Sequence, residues 1–252
     1  MAISRKSFLA GGTLAAGAMA LASIRDAVAE ETPKETPMAP PPPAAIHFPV
    51  LKAADYDHKK VMAAITVKKP HKVIFQSTVP HLIVPGLSSL YIHIQNALNA
   101  GEFSMGWGKG NVASAAVLYG PSIIFSLNDA MWAKYKLGAA FKLLNAKGEP
   151  ETANVYYKAQ TSMSFEGDPG AGGNVYQDWS GEACQKRGCS FFVCHNALTA
   201  FAGMTAMQTG GDGKAVLADW KANMLPGFLI VPAGVGALQV AMENGWKMLP
   251  LI

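Results

Sequence analysis

The chain has 252 residues, half of them hydrophobic and 15% charged, with a formal net charge of +4. About 200 residues after a distinctive leader are enough for one domain with a sizeable core, so no second domain is required. No run of basic residues is longer than two, which removes the electrostatic footprint expected of a nucleic-acid binder.

The N-terminus reads MAISRKSFLAGGTLAAGAMALASIRDAVAEE. Arg5 and Lys6 precede an apolar run from Phe8 to Ile24, and Ala27-Val28-Ala29 forms a small-residue cleavage pattern. Residues 1–29 are therefore expected to be a removable export signal, which makes the mature chain periplasmic. Gly11, Gly12, Gly17 and many alanines dilute the run, so no stable membrane span is expected once the signal is removed. Ser4-Arg5-Lys6-Ser7-Phe8-Leu9 resembles the twin-arginine export motif, with lysine in place of the second arginine. Cleavage would leave 18 basic and 16 acidic residues, a net charge of +2. Residues 30–49 follow as a linker, because prolines at 33, 37, 40 to 43 and 49 forbid helix and favour an extended path.

From residue 50 onward, strand and helix patterns alternate. A short helix is expected over 55–65, opened by Asp55 and Asp57. Lys72 to Ser77 reads as a strand, and Leu87 to Ala100 shows helical spacing that stops at Gly101. Val112 to Tyr119 is a second apolar strand closed by Gly120-Pro121, and Ser122 to Leu137 a helix ended by Gly138. Then come a helix around 179–187, the strand Ser190 to Cys194 and a helix over 196–207. A strand over Phe228 to Pro232, a helix over Val235 to Asn244 and a last strand over Trp246 to Leu251 complete the chain. About five strands alternating with helices, several apolar on both faces, predict a mainly parallel sheet in a three-layer α/β/α sandwich. Two polar stretches, 145–176 and 210–225, read as insertions or lids. The glycines of 167–173 lack the Lys-Ser/Thr ending of a phosphate loop, so no nucleotide cofactor is expected there.

Three cysteines is an odd number for an exported chain, so at least one thiol is unpaired within a monomer or pairs with another molecule. Cys189 and Cys194 lie at the two ends of a strand, roughly 16 Å apart at the strand rise, too far for a disulfide. The same extended path argues against reading Cys189 to His195 as a haem attachment site. No His or Cys cluster has a metal-ligand spacing, and neither cofactor nor metal is expected. Cys184 ends a helix and Cys189 follows Gly188, so a disulfide between them stays open beside two separately buried thiols. Cys194 falls between a strand end and a helix N-terminus, with Asn196 available as a cap. Backbone N–H groups and the helix dipole there favour a thiolate, in the region where open parallel sheets bind ligands. A small buried apolar cysteine is the competing expectation.

The ordered part of the chain resembles the DsrE/DsrF-like (YchN-like) sulfur-relay family, in its exported form. The resemblance rests on five stretches: His71 to Gln76, Ile92 to Ala100, Val117 to Pro121, Phe192 to Leu198, and Leu229 to Val235 with Gly245-Trp246. It implies a compact α/β/α domain over 50–252, frequent homo-oligomers, and a persulfide carried on Cys194, with His195 and Asn196 orienting or polarising it. Sulfur-donor and sulfur-acceptor proteins would then be the partners. No separate general base is evident, which suits a carrier better than a turnover enzyme. The alternative is a non-catalytic binding or assembly protein of the envelope. Its small-ligand pocket would be formed by Asn96, Gly120, Pro121, Pro232 and Gly234 at the carboxyl ends of the strands.

Overall fold

The computed structural model describes residues 48–158 and 176–251. The expected export signal, nearly all of the Pro-rich linker and the centre of the 145–176 stretch lie outside the described residues. Five strands form one sheet: β1 (His71–Ser77), β4 (Val112–Leu118), β5 (Ser190–Cys194), β6 (Phe228–Val231) and β7 (Lys247–Leu251). Their order is β6-β5-β4-β1-β7, and every pairing is parallel. A separate two-stranded ribbon, β2 (Leu82–Val84) and β3 (Leu87–Ser88), sits in the first crossover.

β4 is the central strand, and its VASAAVL sequence is buried at almost every position. Alternate residues enter two different cores. Val112, Ala116 and Leu118 join the larger one, together with residues of α2 (Ser89–Asn99), α5 (Gly181–Lys186), α6 (His195–Thr209) and α7 (Gly213–Ala222). Ala115 and Val117 join the smaller one, with α1 (His58–Ile65) and α8 (Gly234–Glu243). Alanine on both faces at mid-strand lets helices on either side approach the sheet closely. The chain is thus a three-layer α/β/α sandwich around a parallel sheet, as its pattern predicts.

Several elements differ from the periodicity. The helix expected over 122–137 is broken into a 3₁₀ segment at Gly120–Ser126, α3 (Asp129–Tyr135) and α4 (Leu137–Ala140). Leu127 is extended there, and the Asn128 side chain accepts the Met131 N–H, so a new N-cap restarts the helix. Leu87 and Ser88 pair as β3 before α2 begins, because Ser88 is the N-cap of that helix. The 210–225 stretch, expected as an insertion or lid, contains α7: Asp212 caps it, and its Val216 and Trp220, four residues apart, are buried in the same core as α6.

A buried polar network ties the end of α2 to the chain on both sides of α5. Arg187 Nη1 donates to Gln95 Oε1 at 2.5 Å and to Asn99 Oδ1 at 2.7 Å, and its Nη2 to Glu102 Oε2 at 2.8 Å. Its guanidinium lies 4.4 Å from the Tyr176 ring centre. Gln95 and Asn99 in turn donate to the carbonyls of Asp178 and Tyr176. Arg187 and Glu102 are each only 10% exposed, so truncating the arginine leaves a carboxylate nearly buried without its partner. Arg187→Ala is expected to cost about 3–5 kcal/mol in urea unfolding. Arg187→Lys should recover only part, since an ammonium cannot fork to Gln95, Asn99 and Glu102 together.

Candidate functional site

Parallel strands bring their carboxyl ends to one edge, where Ser77, Leu118, Cys194 and Val231 each hand the chain to a loop or helix. Cys194 pairs with Val231 as the last residue of β5 and is itself the N-cap of α6. Its Sγ accepts the Ala197 N–H at 3.4 Å, so the thiol fills the place that Ser or Asp usually takes. The run Phe191-Phe192-Val193 favours strand up to this point, and the helical spacing begins immediately after it. Cys194 is 6% exposed.

Asn196, expected as the cap, is instead one turn position inside α6 and exposed. The helix starts at His195, one residue earlier than its periodicity suggests. His195 is buried, with Nδ1 lacking a hydrogen-bond partner, and among the described residues it makes no bond to Cys194. Burial holds its pKa below the usual value, Lys221 adds to the depression, and Asp55 opposes it. A lowered pKa disfavours the charged ring, and the ring makes no hydrogen bond through which it would orient the sulfur.

The neighbour that sequence reasoning missed is Tyr119, the residue after β4. Burial raises its phenol above the ordinary range, a hydrogen bond from Gln76 Nε2 to the phenolic oxygen opposes this, and nearby Cys194 adds to the rise. Gln76 was the available signal. It is a polar residue at the end of a strand buried on both faces, where an unpaired amide would be costly.

Gly120, Pro121, Pro232 and Gly234 all lie at this same edge. Gly234 opens α8 so close to Tyr119 that a Cβ would stand 2.9 Å from the tyrosine Cβ. Gly120, at φ +61°, packs on the Thr78 carbonyl, which a Cβ would approach to 2.6 Å. Asn96 does not join them. The helix α2 returns antiparallel to the strands, so its last turn sits beside His71 and Gly245 at the amino ends, where Ala97 and Ala100 share a cavity with them. Asn96 itself is exposed.

Cys184 and Cys189 are free, buried thiols. Their proximity has a local cause. Cys189 N–H donates to the Cys184 carbonyl at 3.0 Å and Gly188 N–H to that of Gln185 at 2.8 Å, with Gly188 at φ +85°. This is the Schellman ending of α5, in which the third residue from the helix end and the second beyond it come into contact. Burial pushes Cys184 well above the ordinary thiol range and Cys189 up to about 12. Both are therefore poor nucleophiles.

Among the described residues, no group of three or more His, Cys, Asp or Glu side chains could hold a metal ion, and no helix is long and apolar enough to cross a membrane. No protein-family model matches the chain. No curated protein matches it. Among solved structures, the chain is similar to a protein of unknown function from Methanobacterium thermoautotrophicum, at 15% identity, covering 72% of this chain and 99% of that one, with a TM-score of 0.34.

His195 carries a pH prediction. The folded protein holds its pKa below 6.5, whereas the unfolded chain binds the proton at that ordinary value. Unfolding therefore takes up protons between 6.5 and the lowered folded value, and stability falls as pH drops through that window. Urea titrations at several pH values should show this slope, and His195→Gln should flatten it.

Proposed function

We propose that the protein is an exported, DsrE-like thiol protein of sulfur metabolism that carries sulfane sulfur as a persulfide on Cys194. The observation that carries this reading is the position of the Cys194 sulfur. It stands at the carboxyl edge of a parallel sheet, at the start of a helix of 15 residues, with the Ala197 N–H donating to it. That N–H is a ready partner for a sulfur bearing negative charge. In the loading step the Cys194 thiolate attacks the outer sulfur of a donor persulfide. The new S–S bond leaves the persulfide on Cys194, and the donor departs as a thiolate. In unloading, an acceptor thiolate attacks that outer sulfur and Cys194 leaves as the thiolate. No net oxidation or reduction of the pair occurs. Tyr119, held by Gln76, flanks the site, while His195 and Asn196 serve the fold of the α6 start.

The 6% exposure of Cys194 favours a second reading, a non-catalytic envelope protein in which this cysteine is core packing and the edge holds a small ligand. Intact-mass spectrometry before and after treatment with polysulfide separates the two. A carrier gains about 32 Da per transferred sulfur, loses it to reductant, and fails to gain it as Cys194→Ser. Cys184 and Cys189 stay unmodified in the folded protein. A wild-type chain that neither gains the adduct nor alkylates at Cys194 belongs to the second reading.

A further inference from the structure

The sequence Met105-Gly106-Trp107-Gly108-Lys109-Gly110 builds a loop at the opposite edge of the sheet, far from Cys194. All three glycines are left-handed, at φ +69°, +83° and +81°, conformations that side-chain-bearing residues rarely adopt. A π-helical turn over Ala100–Ser104 leads into it. Such turns concentrate at functional sites. The Trp107 N–H donates to the Gly101 carbonyl at 3.2 Å, and Asn111 Nδ2 donates to the Trp107 carbonyl at 2.8 Å. The indole stacks on the His71 ring, with centres 3.9 Å apart and planes within 7°.

All this ordering does not bury the side chains it positions. Trp107 remains 36% exposed and Met105 59%. Behind them lies a cavity of about 380 Å³, lined by Val73 on β1, Leu249 on β7, Ala97 on α2 and Ala100 at the start of the π turn. Small-molecule sites are mostly apolar cavities of about 300–1,000 Å³ with a few placed polar groups.

The charge around the cavity is of one sign. Its lining includes Lys72 and Lys247 and no carboxylate. The Lys72 ammonium is held by the Asn244 carbonyl. Lys247 is exposed, has no ion pair among the described residues, and lies beside Val73 in the β1–β7 register, on the face that the cavity occupies.

We propose that this cavity binds a small apolar carboxylate, its hydrocarbon body lying between Trp107 and Leu249 and its charged end at Lys247. The site is independent of the persulfide reading, since the two lie at opposite ends of the strands.

Isothermal titration of the full chain with decanoate, below its micelle range, tests the proposal. Saturable one-to-one binding is expected, at least tenfold weaker for the uncharged decanamide and for Lys247→Glu, and lost in Ala97→Phe, which fills the cavity. Because Lys247 is exposed, Lys247→Glu keeps the test sharp should Ala97→Phe fail to fold. Absence of saturable binding to the wild type overturns the proposal, as does decanoate affinity unchanged in Lys247→Glu.

Discussion

A parallel sheet cannot leave a face in water, and β4 carries that requirement for the whole molecule. Its neighbours on both sides run the same way, so each connection must climb back over one face. Those crossovers supply the helices that cover the sheet. Ala115 and Ala116 point to opposite faces at mid-strand and are fully buried. Larger side chains there would push α2 and α8 away from the sheet and open both cores at once.

The same requirement divides the molecule into two chemical edges. At the carboxyl edge, strands end in tight junctions: a sulfur that caps a helix, a tyrosine against a glycine, a turn folded onto the Thr78 carbonyl. Polar groups there are few and nearly buried. At the amino edge, the helix α2 ends in a π turn, the Arg187 network closes one side, and the glycine loop holds apolar rings at the surface. One edge presents a cysteine at a helix start and the other a cavity lined by lysines.

Cys194 shows how a thiol can take the place of a helix cap. As an N-cap it satisfies one of the orphan N–H groups at the start of α6. Sulfur is a weak acceptor, so this capping bond is weaker than one from Ser or Asp. It becomes a stronger one when the sulfur carries charge. His195, by contrast, is absorbed into the fold. Its burial lowers its pKa, and the ring makes no bond to the sulfur it follows in sequence.

The order and class of the elements were legible in the chain because a strand buried on both faces reads as a short apolar run, and helices read by their spacing. The strand Ser190 to Cys194 and the junction that follows it are local features, so the position of Cys194 was legible too. Helix starts were less so: a thiol replaced the expected Asn196 cap, and Asn128 restarted a helix that periodicity runs through. What only tertiary structure decided is which distant residues share an edge. Tyr119 reaches the cysteine through strand order, and Asn96 leaves it because α2 runs back down the sheet. Trp107 and Lys247 line one cavity across 140 positions of sequence because β7 returns to pair with β1. Local propensity acts over a turn or a strand, whereas strand order follows from covering both faces of the sheet, a demand met only by the folded chain as a whole.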